Sequence, residues 1–380
     1  MKNAILLTIL LSLPSFGLIA QVDTVSLTQA LDDSFEASQL PGLAVGIVST
    51  NGFSYLRSFG YADKGQEIPF ELTTSLPVGS VTKTLTGMAI VRLIEMGRLS
   101  WDDPINDHLP FEIVNPYHPE EPILLHHLLN HTSSLLDGKS YGQTYQLNDA
   151  LFDEDDHEGV HEGYLNFIRG HEDLSLEAFI QETLVPRGRW YKKKNFLKAV
   201  PGAEASYSNI NASIAGLIVE KISGQSFAEF VEASLFEPIG INTSFAANAP
   251  RDDLARLYFP SGYWVPPYKL ATYPDGGWVT NLENLSLYVG DVLQGYKGEG
   301  GILEAKSYQN LLPGDDDERR AFWGMGVSRD IGHTGSDPGV HCEIRFNADH
   351  PVAVILLTNV NAEDNEELWE QYRAIRTQLY

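Results

Sequence analysis

The sequence predicts an α+β fold: an antiparallel sheet flanked by N- and C-terminal helices, plus a helical lobe. Two observations carry that prediction. Strand-like apolar runs lie near both ends of the chain, at 43–49 and 53–61 and again at 323–327, 340–346 and 352–358, while the middle reads in helical periods. A helical pattern also stands at each end, over 25–39 and 366–379. Two chain ends that build one sheet leave the middle to form a separate body. The expected division is a leader over 1–20, a sheet-bearing part from 21–79 and 295–380, and a helical lobe over 80–294.

Each element has a local reason. Apolar side chains recur at Leu27, Ala30, Leu31 and Phe35, and Pro41-Gly42 breaks that helix. Asn51-Gly52, between the first two strands, is a hairpin turn signal because both residues tolerate φ above zero. Residues 82–96 are long and largely apolar with Gly97 after them, which predicts a buried helix with Ser80 at its start. His126 to Leu135 reads as a helix end running into a polar turn. Residues 136–176 are acidic and histidine-rich, with Asp153-Glu154-Asp155-Asp156, and read as an insertion or surface lobe. Helices follow over 175–184, 210–222 and 227–236, punctuated by Gly224 and Pro238-Ile239-Gly240. The aromatic, proline-rich stretch 258–273 reads as a structured loop near a cleft. Thr280 with Glu283 reads as a capping box for a helix that runs through Val292.

Composition bounds the function. Apolar residues make up 43% and charged residues 20%, as in an ordinary folded protein. A net charge of −25 repels nucleic acid and anionic membranes, so neither is expected as a main partner. Lys2, an apolar run over 4–13 and a small residue at Ala20 read as a secretory signal peptide, which places the protein in the periplasm or outside the cell. That run is too short to span a bilayer. Cys342 is the only cysteine, so neither an intramolecular disulfide nor a cysteine zinc cluster is expected, and its thiol reads as buried and inert.

Three short motifs stand in order along the chain and carry one chemistry. In Ser80-Val81-Thr82-Lys83 the serine and lysine sit three apart and share a helix face, so the amine can reach the hydroxyl. A serine hydroxyl attacks weakly unless a base takes its proton, and Lys83 in a dry or cation-rich site would serve. Tyr207-Ser208-Asn209 supplies a phenol as base or relay, with Asn209 to bind a substrate amide and hold Lys83. Tyr164 and Tyr308 stand in the same spacing to an asparagine, but Tyr207 follows Pro201-Gly202, lies in a polar turn and precedes a good helix. His333-Thr334-Gly335-Ser336 supplies a backbone that can approach a ligand closely at Gly335. The Ser80 and Ser336 N–H groups are candidates for an oxyanion hole, and the Thr334 and Ser336 hydroxyls for gripping a carboxylate or ester oxygen. His333, with an ordinary pKa near 6.5, is expected to be partly charged at neutral pH.

Together these motifs resemble the serine β-lactamase and penicillin-binding protein family, on the branch of class C β-lactamases, DD-carboxypeptidases, D-amino-acid peptidases and related esterases. His127-Leu128-Leu129-Asn130-His131-Thr132-Ser133, Gly276-Gly277-Trp278-Val279-Thr280 and the run from Gly332 to Asn359 are similar to that family as well. The resemblance implies a β-lactamase/transpeptidase-like fold and an acyl-enzyme on Ser80. It gives Lys83 and Tyr207 general-base duty and Asn209, His333, Thr334, Gly335 and Ser336 to the substrate, with no cofactor and no metal. The substrate is then a small molecule or peptide with an amide or ester bond. His333 stands where class C β-lactamases carry lysine, which favours peptidase or esterase activity over β-lactam breakdown. Oligomeric state has no sequence signal. Two readings of other classes compete. His157-Glu158-Gly159-Val160-His161 matches a zinc-protease pattern, although Gly159 and Gly163 weaken the helix that pattern needs. A catalytically inactive binding protein with the same fold is the other.

Overall fold

The computed structural model describes residues 23–50, 54–153, 158–243, 253–313, 320–326, 329–349 and 352–379. The expected leader, the Asn51-Gly52 turn and His157 lie outside them. The α+β architecture holds. A seven-stranded sheet runs in the order Gly324–Met325, Asp330–Asp337, Val340–Asn347, Val352–Thr358, Gly42–Ser49, Ser54–Asp63, Ile68–Pro69. Every neighbouring pair is antiparallel. The join between the two chain ends lies inside the sheet, where Gly46 stands opposite Ile355.

The central strand Gly42–Ser49 is buried along seven of its eight residues because helices cover both faces. On one face Leu43, Val45, Ile47, Val354 and Leu356 pack with Leu31 of the helix Thr24–Glu36 and with Leu368, Tyr372 and Ile375 of the helix Glu366–Thr377. On the other face Ala44, Val48, Ile355 and Leu357 meet Leu282, Leu285 and Val289 of the helix Leu282–Tyr296. That helix hands the sheet on to the helices of the middle, Thr82–Glu95 and Asn209–Ser223. Thr82–Glu95 is buried nearly all round, as a central helix is when others surround it.

Several local expectations change. The cap of the helix Leu282–Tyr296 is Asn281, whose side chain accepts from the Asn284 N–H; Thr280 is instead in the short strand Val279–Thr280, paired with Leu76–Pro77. Phe227–Val231 begins with a Ser226–Glu229 capping box and continues as one wide π-helical turn over Glu232–Phe236. The strand Asp330–Asp337 and the helix Ala305–Leu311 were not anticipated. Part of the segment 136–176 reaches inward: Tyr145–Leu147 pairs with Tyr268–Leu270, inside the stretch expected to be loop. Among the described residues no helix is long and apolar enough to cross a membrane.

Candidate active site

Ser80 sits in a single 3-10 turn, Gly79–Val81, that runs straight into the helix Thr82–Glu95. Lys83 is one turn further on, fully buried, and its Nζ donates to Ser80 Oγ at 2.8 Å and to the Asp275 carbonyl at 2.6 Å. Thr86 Oγ1 donates to the Pro274 carbonyl at 2.6 Å, so the turn Tyr273–Asp275 is fastened to the nucleophile helix at two points. From the opposite side Tyr207 OH donates to Ser80 Oγ at 3.0 Å, with its ring 5.4 Å from Lys83 Nζ. The rival tyrosines are engaged elsewhere: Tyr164 packs on Phe167 and Phe259, and Tyr308 bonds Asp291.

The strand Asp330–Asp337 crosses this turn at backbone contact. A Cβ on Gly335 would lie 1.9 Å from the Val78 carbonyl oxygen and 2.9 Å from Ser80 N. Gly79, at φ +51°, would place a Cβ 3.0 Å from Ser336 N. Two glycines therefore bring the Ser80 and Ser336 N–H groups side by side.

Three assigned roles change. Asn209 does not hold Lys83. Its Nδ2 donates to Asp137 at 2.9 Å, and Asp137 also accepts from Ser208 Oγ, Asn209 N and Ile210 N. The carboxylate is an acceptor, so it draws the amide nitrogen rather than the amide oxygen. Ser336 Oγ is turned away from Ser80, because strand side chains alternate; it meets Glu363 Oε2 at 2.8 Å and His341 Nδ1 at 2.9 Å. The Ser336 hydroxyl is thus unavailable to a substrate, whereas Thr334 is exposed. His333 is pushed down to about 4 by burial and by the Lys83 cation, so it is neutral at pH 7. Its Nδ1 lies 2.6 Å from the Thr334 carbonyl, which accepts a hydrogen bond from that nitrogen.

Some groups around the site were given no role by the sequence. Asp275 is buried, accepts from Tyr141 OH at 2.8 Å and Ser213 Oγ at 2.7 Å, and is raised to about 6 by burial. Asp337 takes a hydrogen bond from Tyr145 and is raised to about 7, again by burial. His131 packs against Tyr207 with ring centres 4.5 Å apart and is pushed down to about 3 by burial, then by Lys83 and His333. A cleft of about 400 Å³ beside Tyr207 and His333 is also lined by Arg320 and Arg345. Cys342 is buried, and burial holds its thiol well above the usual range, hence protonated.

The family model described as Beta-lactamase matches residues 27–377. The chain belongs to the beta-lactamase family. It is 24% identical over 359 residues to Protein flp of Staphylococcus aureus (strain MRSA252), covering 90% of this chain and 63% of that protein. The chain thus spans under two thirds of the length of that relative. Among solved structures, the octameric penicillin-binding protein homologue from Pyrococcus abyssi superposes with a TM-score of 0.68 at 22% identity, covering 89% of this chain and 73% of that one. The penicillin-binding protein from Bacillus halodurans gives 0.64 at 25% identity, over 92% and 98% of the two chains. The zinc pattern gains no support from the fold. His161 caps the helix Glu162–Arg169 from outside it, with Nδ1 accepting from Tyr164 N at 3.0 Å and its ring on Phe259. Among the described residues no group of three or more His, Cys, Asp or Glu is placed to hold a metal ion.

Proposed function

We propose that the protein is an exported serine hydrolase that cleaves amides or esters through an acyl-enzyme on Ser80. The observation that carries this reading is Ser80 Oγ held between Lys83 Nζ and Tyr207 OH. Ser80 Oγ attacks the substrate carbonyl carbon, and its proton passes to the Lys83–Tyr207 pair. The carbonyl oxygen becomes an oxyanion beside the Ser80 and Ser336 N–H groups, each such donor contributing roughly 3 kcal/mol to the transition state. The pair returns the proton to the leaving amine or alcohol, and water then releases the acyl group by the same path in reverse.

D-amino-acid peptides and cell-wall stem peptides form the first substrate class, small esters the second and β-lactams the third. On this reading the chain falls with the DD-carboxypeptidase and class C branch of its family. The likeness to penicillin-binding proteins supports ligands that resemble the ends of such peptides. The charge for a substrate carboxylate comes from Arg320 in the neighbouring cleft, because neutral His333 supplies none and Arg345 is already paired with Glu343 at 2.7 Å. Residues 1–20 direct the chain out of the cytoplasm.

The test is intact-protein mass spectrometry after incubation with a fluorophosphonate and, separately, benzylpenicillin, followed by peptide mapping. One adduct on Ser80, absent from Ser80→Ala, is expected. An adduct on another serine, or hydrolysis that survives Ser80→Ala, sinks the assignment.

A further inference from the structure

We propose that Asp337 is a positioning residue for acyl transfer at Ser80, held in place by Tyr145 from the segment 136–176. This rests on the acyl-enzyme reading above and adds a second layer of groups beneath the nucleophile. Asp337 ends the strand Asp330–Asp337, two residues beyond Gly335. It therefore shares with His333 and Gly335 the strand face turned to the Ser80 turn. Its Oδ2 lies 3.2 Å from the place a Cβ would take at Gly79, and 3.2 Å from that place at Gly276. The carboxylate is thus wedged between the residue before Ser80 and the residue after Asp275. Those two backbone stretches set Ser80 Oγ and the carbonyl that anchors Lys83 Nζ. The other carboxylate oxygen accepts from Tyr145 OH. Tyr145 is fixed in turn by strand pairing with Leu270 and by an edge contact with the Tyr268 ring at 5.5 Å.

Asp337 also carries charge to this place. The groups that face it are Tyr145 by hydrogen bond, Asp275 and Lys83 by charge, and Tyr141, Tyr164 and Tyr268 around them. His333, on the same strand, is neutral above about 4. Burial raises the Asp337 carboxyl to about 7, with Tyr145 and Lys83 pulling it down and Asp275 pushing it up. Asp337 thus ionises in the neutral range, within reach of the Lys83 charge.

The experiment follows acylation of Ser80 by a fluorophosphonate in the full chain, by intact mass, from about pH 5 to about pH 9. Wild type is expected to show an inflection at about 7. In Asp337→Asn that inflection disappears. Tyr145→Phe keeps the carboxylate but removes its donor, so the inflection moves to higher pH. A purely structural role would scale the rate equally at every pH. Variant profiles superimposable on wild type, with the Ser80 adduct still forming, overturn the inference alone. No Ser80 adduct in wild type overturns the acyl-enzyme reading and the inference with it. Should Asp337→Asn fail to fold, Tyr145→Phe decides: an unmoved inflection overturns the proposal.

Discussion

Ser80 Oγ has two neighbours able to trade a proton, and His333, which the motif spacing suggested as a charge carrier, is not one of them. A histidine at its ordinary pKa would lose its charge across the neutral range, and any preference for anionic substrates would fade with it. Here burial, and then Lys83, move that change to about 4. The ratio of kcat/KM for a D-peptide with a free carboxylate to that for its neutral amide should therefore stay flat from about pH 6 to about pH 8. Arg320→Ala should lower that ratio roughly tenfold, the worth of one charge-assisted hydrogen bond. A ratio that bends at the ordinary histidine pKa, or is indifferent to Arg320, would return the role to His333.

The helix Asn209–Ser223 shows how an element depends on a distant group. Its cap residue Ser208 spends its hydroxyl on Asp137, and Asp137 itself accepts from the first helical N–H groups. Asp137→Ala should cost about 1–2 kcal/mol in urea unfolding, the range for a lost cap, and should free the Asn209 amide. An unchanged midpoint would show that Asp137 does not cap the helix. The helices Thr82–Glu95, Leu176–Leu184 and Asn209–Ser223 were legible in the sequence because each carries its own period and punctuation, whereas Glu162–Arg169 was hidden in the acidic segment. The strand Asp330–Asp337 was not legible, since Gly332 and Gly335 dilute its β signal; pairing with Val340–Asn347 makes it a strand. The glycines have their own reason: Gly335 passes the Val78 carbonyl and Gly332 would press on that of Ile344. The same contrast holds at the site. Ser80, Lys83 and Tyr207 stand in short motifs with a chemical logic. Asp137, Asp275 and Asp337 meet their partners only through tertiary packing, and the one local hint was Pro274-Asp275-Gly276-Gly277, an acid inside a tight turn. Tyr141 and Tyr145 were hidden because acidic neighbours made their segment read as surface.

Across the whole molecule, two sets of titrating groups work against each other as pH changes. His127, His131 and His333 are depressed to about 4, about 3 and about 4 from 6.5, so the folded state refuses protons that the unfolded chain binds. Their contribution is complete above about 6.5 and is lost as pH falls. Asp275 and Asp337 are raised from 3.8 to about 6 and about 7, so the folded state keeps protons that the unfolded chain gives up. Their contribution is complete below about 4 and is lost as pH rises through those values. Between about 4 and 6.5 the two slopes oppose, which flattens the stability curve. Asp337→Asn removes one carboxyl from the balance. Its stability relative to wild type should rise by on the order of 2 kcal/mol between about pH 5 and about pH 8, read from urea midpoints. Parallel curves for the two proteins would refute the assignment.

The seam inside the sheet has a consequence for how the protein comes into being. Gly42–Ser49 gains its second neighbour only when Val352–Thr358 exists, and the strand that crosses the Ser80 turn also belongs to the last part of the chain. During synthesis the early strand must wait through most of the polypeptide, with one apolar edge unpaired. Contacts this far apart in sequence form slowly. The Ser80 turn thus meets its crossing strand only in the finished molecule, so a nascent chain carries the nucleophile without the frame that positions it.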